Sequence, residues 1–405
     1  MIASFVKSHF QKFLGVLFLI LASSCSDEEV APVKEDNVLV SSELVSTRTI
    51  AGLQILLALG QVGLEPDIIR YDVDIYKVTY FTEYKNEMIL ASGLVILPKT
   101  TDEVSMLSFQ HGTITDNEDA PTMISAGDPL SFLYAALASP GFIGVVPDYI
   151  GFGSSSNLMH PYYVEDLTAS SVVDNMKAAS ELANEKGVNF DGDLFIAGYS
   201  EGGYATMATH KYLEQNEVAN FNLVASFPAA GGYDVKSMQE YFFALETYEN
   251  PFYIAYVAQA YKTVFDFSQP LTDFFQEPFA SRIPNLFNGT LTSGEINGQL
   301  TSSITDLIAP DLRTNIDTNP DYAYLRNAFI ENSLIDWAPA TTMYLYHGDE
   351  DLTVPFENTE ITYDQLIQNG ASTATLKFLV IEGADHSTGV LPYVADIIPK
   401  MLSLN

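Results

Sequence analysis

Short apolar runs alternate with helical segments along most of this 405-residue chain, and that rhythm narrows the fold more than any other feature. The runs lie at 104–110, 142–146, 193–197, 222–227, 342–347 and 375–381, and are rich in Val, Ile, Leu and Phe. Strands buried on both faces read this way, whereas a strand with one wet face alternates. Candidate helices fall between them, near 128–138, 166–186, 203–215, 356–369 and 391–402. Strand–helix alternation implies parallel strands with right-handed crossovers, so the spacing predicts an α/β chain with a mostly parallel, doubly wound sheet. Ahead of it, 50–60 reads as a short helix. Residues 71–82 and 88–97 read as two strands joined through Glu83–Glu87, an antiparallel hairpin at the edge of the sheet.

The rhythm stops between 227 and 342. Residues 235–330 are helical in pattern and crowded with aromatics such as Phe242, Phe243, Tyr253, Tyr256, Phe274 and Phe275. A structureless loop of that length is out of keeping with a compact domain. The segment 235–335 therefore reads as an inserted helical cap, dividing a core into 49–234 and 336–405. Most of its aromatics must form the cap's own core, and the rest are free to meet an apolar substrate.

The first 24 residues have the layout of an export signal. Lys7 and Lys12 are followed by an apolar run, Phe13 to Ala22, of ten residues, too short to span a bilayer as a helix. Ser23, Ser24 and Cys25 come next. The segment resembles the lipobox of bacterial lipoproteins, in which the cysteine is acylated and becomes the first mature residue. It departs from that pattern in having Ala22 three residues before the cysteine, with Leu21 one further back. An ordinary signal peptide cut near Ala22–Ser24 is the alternative. Ser26–Glu29 resembles the acidic export tag of surface lipoproteins, and 25–48 reads as a polar tether. The expectation is an exported protein held at the outer membrane by a lipid on Cys25, exposed at the surface if the acidic stretch acts as that tag. Cys25 is the chain's one cysteine, which excludes an internal disulfide and a cysteine metal cluster. Acidic residues outnumber basic ones 52 to 18, a balance that repels phosphate backbones and argues against a nucleic-acid partner.

The chemistry centres on Gly198-Tyr199-Ser200-Glu201-Gly202, where a buried run passes directly into a helical pattern. G-x-S-x-G in a strand–turn–helix context places a serine on a tight turn with its hydroxyl projecting from the sheet. Glycines at 198 and 202 let the neighbouring strand and helix approach, and Gly203 adds room. Such a serine needs a base, ordinarily an imidazole oriented by a carboxylate. Beyond the cap there are two histidines, His347 and His386, and several acids: Asp349, Glu350, Asp351 and Asp385. His386 follows the last predicted strand by five residues, in a loop at the end where parallel sheets carry their reactive groups. The acidic trio lacks the alternating ligand spacing of a calcium loop, so no metal is expected.

The stretch His347-Gly348-Asp349-Glu350-Asp351-Leu352-Thr353-Val354-Pro355 resembles the segment after the penultimate strand of many α/β-hydrolases. The chain order of that fold is serine, acid, histidine. Matched residue by residue, the resemblance makes Asp351 the acid and His386 the base, and leaves His347 a packing residue at the strand end. It also makes the N–H groups of Thr113, after His111-Gly112, and of Glu201 the donors of an oxyanion hole. Pro147–Ser154, His160-Pro161-Tyr162 and Asp336–Pro339, together with the serine turn, resemble the secretory lipases and their bacterial relatives over roughly residues 70–400. That resemblance implies an α/β-hydrolase fold with a helical cap and an esterase or lipase that needs no cofactor. Its substrate would be a small-molecule or lipid ester. Pro147–Ser154 and His160–Tyr162 are expected to shape the rim of the site. A serine peptidase or acyl-aminoacyl hydrolase on the same fold is the main alternative, and a surface binding protein without activity is another.

Overall fold

The expected runs become the inner strands of a nine-stranded sheet. The computed structural model describes residues 37–405 apart from 61–63 and 126. The signal segment 1–24, Cys25 and the tether as far as residue 36 lie outside the described residues. In chain order the strands are β1 (Leu39–Arg48), β2 (Val73–Tyr84), β3 (Glu87–Pro98), β4 (Glu103–Gln110), β5 (Phe142–Pro147), β6 (Asn189–Tyr199), β7 (Asn222–Ala229), β8 (Thr342–Gly348) and β9 (Leu376–Ile381). Their order across the sheet is β1-β2-β3-β5-β4-β6-β7-β8-β9. The pairs from β1 to β5 are antiparallel, and those from β5 through β4 to β9 are parallel.

Successive side chains on the inner strands go to opposite layers. On one face Met106, Ile143, Leu194 and Ile196 pack under α3 (Glu165–Lys186), through Val172, Met176 and Leu182. On the other, Leu107, Phe142, Phe195 and Phe227 meet three helices. These are α1 (Ile50–Gly60), α2 (Pro129–Ala138) and α9 (Val390–Leu404). Each fully buried Leu, Ile or Phe contributes about 1.5–3 kcal/mol, so a sheet covered on both faces supplies most of the core. The Tyr393 hydroxyl of α9 donates to the Phe227 carbonyl at 2.5 Å and accepts from the Gly198 N–H at 2.9 Å. That pair of bonds fastens the last helix beneath the end of β6.

Two expectations need correction. Residues 39–48, assigned to the tether, form β1, and the β2–β3 hairpin is consequently inside the sheet rather than at its edge. β1 escaped notice because it has no fully buried residue. A solvated edge strand shows neither a continuous apolar run nor strict alternation. The hairpin turn is tight: Lys85 and Asn86 both have positive φ, 52° and 63°, as the two-residue turn matching strand twist requires.

Between β7 and β8 the chain is helical, with no named strand among the described residues. α5 (Val235–Ala244), α6 (Phe252–Val264) and α7 (Ala323–Glu331) frame the segment, with helices of four to six residues between α6 and α7. Its aromatics pack on one another and onto the core. The Tyr256 ring stacks between Tyr162 and Phe287, with centroids 4.4 Å away on each side. The Tyr261 hydroxyl donates to the Tyr163 carbonyl at 2.9 Å. Sheet, helices and cap fall into one unit, residues 38–405. No helix among the described residues is long and apolar enough to cross a membrane. α4 (Glu201–Gln215) and α8 (Phe356–Gln368) complete the helices around the sheet.

Candidate active site

β6 ends at Tyr199 and α4 begins at Glu201, so Ser200 is the whole of the turn between them. Its backbone is at φ 62°, ψ −124°. A non-glycine residue in that region costs about 1–3 kcal/mol and persists only where its surroundings enforce it. The enforcement is visible. The Ser200 N–H donates to the Ala229 carbonyl at 2.9 Å, and the Ser200 carbonyl accepts from Gly203 and Tyr204. A Cβ on Gly198 would strike the carbonyls of Gly202 and Gln110, and one on Gly202 would strike that of Gln110. Only glycines permit this turn so close to β4.

Ser200 Oγ lies 2.9 Å from His386 Nε2, and His386 Nδ1 lies 2.6 Å from Asp351 Oδ2. Because Nδ1 faces a carboxylate, it carries the hydrogen and leaves Nε2 free to accept from the serine. Asp351 is buried. Its Oδ1 accepts from the N–H groups of Thr353 and Val354, at 2.9 and 3.0 Å. Burial pushes this carboxyl up, but hydrogen bonds from His347 and His386 and their electrostatic attraction outweigh it and hold the group at about 2. Of the competing acids, Asp349 accepts from the Gly383 N–H and ties two loops together. Asp385 caps its own turn through Ser387 and Thr388, and Glu350 is exposed.

His347 sits at the end of β8 as expected, but it does more than pack. Its Nε2 lies 3.1 Å from Asp351 Oδ2 and 3.0 Å from the Val354 carbonyl, and Nδ1 lies 2.6 Å from Thr359 Oγ1. Two acceptors at Nε2 put the hydrogen there, so His347 donates to the same carboxylate oxygen that His386 uses. The four-residue spacing was the available signal.

Gly112 runs beside the nucleophile: a Cβ there would lie 3.6 Å from Ser200 Cβ. His111 Nδ1 is 2.7 Å from the Gly112 carbonyl. Burial pushes the His111 imidazole below its ordinary value, so it acts as a neutral ring whose Nδ1–H donates. The Gly112–Thr113 peptide is planar, so fixing its carbonyl also fixes the direction of the Thr113 N–H. Glu201 opens α4, where an N–H has no carbonyl a turn behind it to bond.

The rim segment after β5 braces both of these positions, which sequence reading did not foresee. Tyr162 OH and Thr113 Oγ1 share a hydrogen bond of 2.8 Å, and Tyr149 OH donates to the His111 carbonyl. His160 Nδ1 donates to the Ile150 carbonyl, and its Nε2 meets the buried Glu201 carboxylate at 2.6 Å. That contact ties the rim segment to the first residue of α4. Its partners are 41 residues apart in sequence, too far for any local pattern to show it.

Ser200 also lies on the wall of a cavity that extends under the cap, lined by Met238, Phe242, Tyr253, Val257 and Phe275 among others. No charged side chain lines it. No group of three or more metal-ligating side chains occurs among the described residues.

The model of the alpha/beta hydrolase family matches residues 111–395. The chain belongs to the alpha/beta hydrolase family. No curated protein matches it in sequence. Solved structures do. A protein provisionally named a hydrolase, from Legionella pneumophila subsp. pneumophila, superposes with a TM-score of 0.81 at 24% identity, covering 91% of this chain and 98% of its own. The rice cell wall degrading esterase LipA from Xanthomonas oryzae gives 0.77 at 23%, covering 91% and 97%. Candida antarctica lipase A in its closed state gives 0.64 at 14%, covering 89% and 81%. At these identities the likeness establishes the α/β-hydrolase fold.

The depressed Asp351 carboxyl makes a prediction about this hydrolase. Its ionised form stabilises the fold above the ordinary value of 3.8, and that contribution is lost as pH falls from there through about 2. Urea unfolding between about pH 4 and pH 3 should show the parent losing stability faster than Asp351→Asn, by up to about 1.4 kcal/mol per pH unit. Equal slopes would contradict the assignment.

Proposed function

We propose that this α/β-hydrolase is a serine carboxylic ester hydrolase of the esterase or lipase kind, with Ser200, His386 and Asp351 as its triad. The observation that carries this reading is the unbroken hydrogen-bond chain from Ser200 through His386 to Asp351, at the wall of an apolar cavity. Ser200 Oγ attacks the ester carbonyl carbon while His386 Nε2 takes its proton. Asp351 holds the imidazole and stabilises the imidazolium. The oxyanion forms against the N–H groups of Thr113 and Glu201. When the intermediate collapses, the alkoxide leaves with the proton from His386, and the acyl group stays on Ser200. Water, deprotonated by His386, then releases the acid and restores the serine. No step calls for a cofactor.

The cavity favours esters over peptides. An uncharged, aromatic-walled space suits the apolar acid half of a small-molecule or lipid ester. The names of the Xanthomonas esterase and the Candida lipase point the same way. We also propose that Cys25 is acylated after removal of residues 1–24 and holds the enzyme at the outer membrane. The arrangement of Lys7, Lys12, the apolar run and the chain's one cysteine supports that reading.

Hydrolysis of p-nitrophenyl esters from acetate to palmitate tests the activity. Ser200→Ala should lower kcat by about 10⁴-fold or more, and the best chain length will separate esterase from lipase. Absence of turnover on every ester, or full activity in the variant, would rule the reading out. For the anchor, the full chain made in a Gram-negative host should partition into detergent, and Cys25→Ala into the aqueous phase. A parent protein found in the aqueous phase would refute acylation.

A further inference from the structure

The cap cavity is not uniformly apolar, and one buried amide on its wall stands out. Gln239 projects from α5 and is 93% buried, being 7% exposed. It lines the cavity beside Met238 and Phe242. Several other polar groups of that wall are paired. Tyr248 OH donates to the Thr353 carbonyl, and Tyr163 OH accepts from the Gly232 N–H. Tyr162 OH pairs with Thr113, and Ser200 with His386. Gln239 Oε1 has no hydrogen-bond partner among the described residues. Leaving a buried polar group unpaired costs about 1–3 kcal/mol. Leucine or methionine at this position would avoid that cost, and would serve a purely hydrocarbon acyl chain better. An amide is useful there if what enters the cavity brings a hydrogen-bonding group of its own.

We propose that the acid half of the preferred ester carries a hydroxyl group, and that Gln239 hydrogen-bonds it inside the cap. The proposal rests on the ester-hydrolase reading of Ser200. A hydroxyl fits an amide in either orientation, because each both donates and accepts. A charged substituent does not fit, since no charged side chain lines the cavity to compensate it. The hydroxyl could belong to a phenolic ring, which would stack among Phe242, Tyr253 and Phe275, or to a hydroxylated aliphatic chain. The chemistry Gln239 recognises is the same in both.

Two matched pairs of methyl esters test this: cinnamate against its para-hydroxy counterpart, and octanoate against its terminal-hydroxyl counterpart. A site built to hydrogen-bond a substrate hydroxyl discriminates strongly against the analogue that lacks it. The parent should favour the hydroxylated member of one pair by about tenfold or more in kcat/KM. Which pair shows the preference decides between ring and chain. In Gln239→Met, of similar length and without the amide, the ratio for that pair should fall to one or below. Because the readout is a ratio within one protein, a partial loss of folded enzyme does not disturb it. If the variant fails to fold, the parent's own ratios still decide the matter. Parent ratios near or below one in both pairs overturn the proposal while leaving the ester reading intact. A preference that survives in Gln239→Met removes Gln239 from it. No turnover of any of the four esters overturns both.

Discussion

The carbonyl of Gln110, at the end of β4, occupies the space that a Cβ on Gly198 or Gly202 would need. This close approach of three backbone segments is what the rest of the site depends on. It brings β6, the start of α4 and the end of β4 together so tightly that Ser200 has to turn the chain alone. The strain in Ser200 is held by three backbone hydrogen bonds and by the Tyr393 hydroxyl below. Gln110 is itself fixed: its side chain donates to Ser108 and accepts from Thr206. The same approach carries the His111–Thr113 backbone past the nucleophile, so one steric constraint positions both the serine and the loop beside it.

The second centre is the Asp351 carboxylate. Taking a charge out of water is costly, and it is tolerated here because four hydrogen bonds converge on two oxygens. Two come from the backbone of its own loop, one from His386 and one from His347. This arrangement keeps the group ionised, and an ionised acid can orient an imidazole and stabilise its positive form. His347, tied in turn to Thr359, limits where the carboxylate can swing.

Much of this was legible in the chain. The inner strands announced themselves because burial on both faces demands unbroken apolar runs. The serine turn announced itself because its steric demand falls on glycines at fixed offsets. His386 and Asp351 followed from chain order and a family resemblance, and the structure places both in line with Ser200. β1 was missed because water on both faces removes the pattern that marks a strand. The cap could be recognised only as helical and aromatic, since its packing arises from contacts such as Tyr162 with Tyr256 that no local period encodes. The braces behind the site, His160 with Glu201 and Tyr162 with Thr113, join residues about 40 to 50 positions apart. Pairings of that kind belong to the fold rather than to any stretch of sequence.

The central claim is that His386 and Asp351 make Ser200 the reactive nucleophile. Treatment with a fluorophosphonate followed by peptide mass spectrometry reads this without assuming a substrate. The account predicts a single adduct on Ser200, formed about 10³-fold or more slowly in His386→Ala. An adduct on another residue, or labelling of Ser200 that is indifferent to His386, would contradict it.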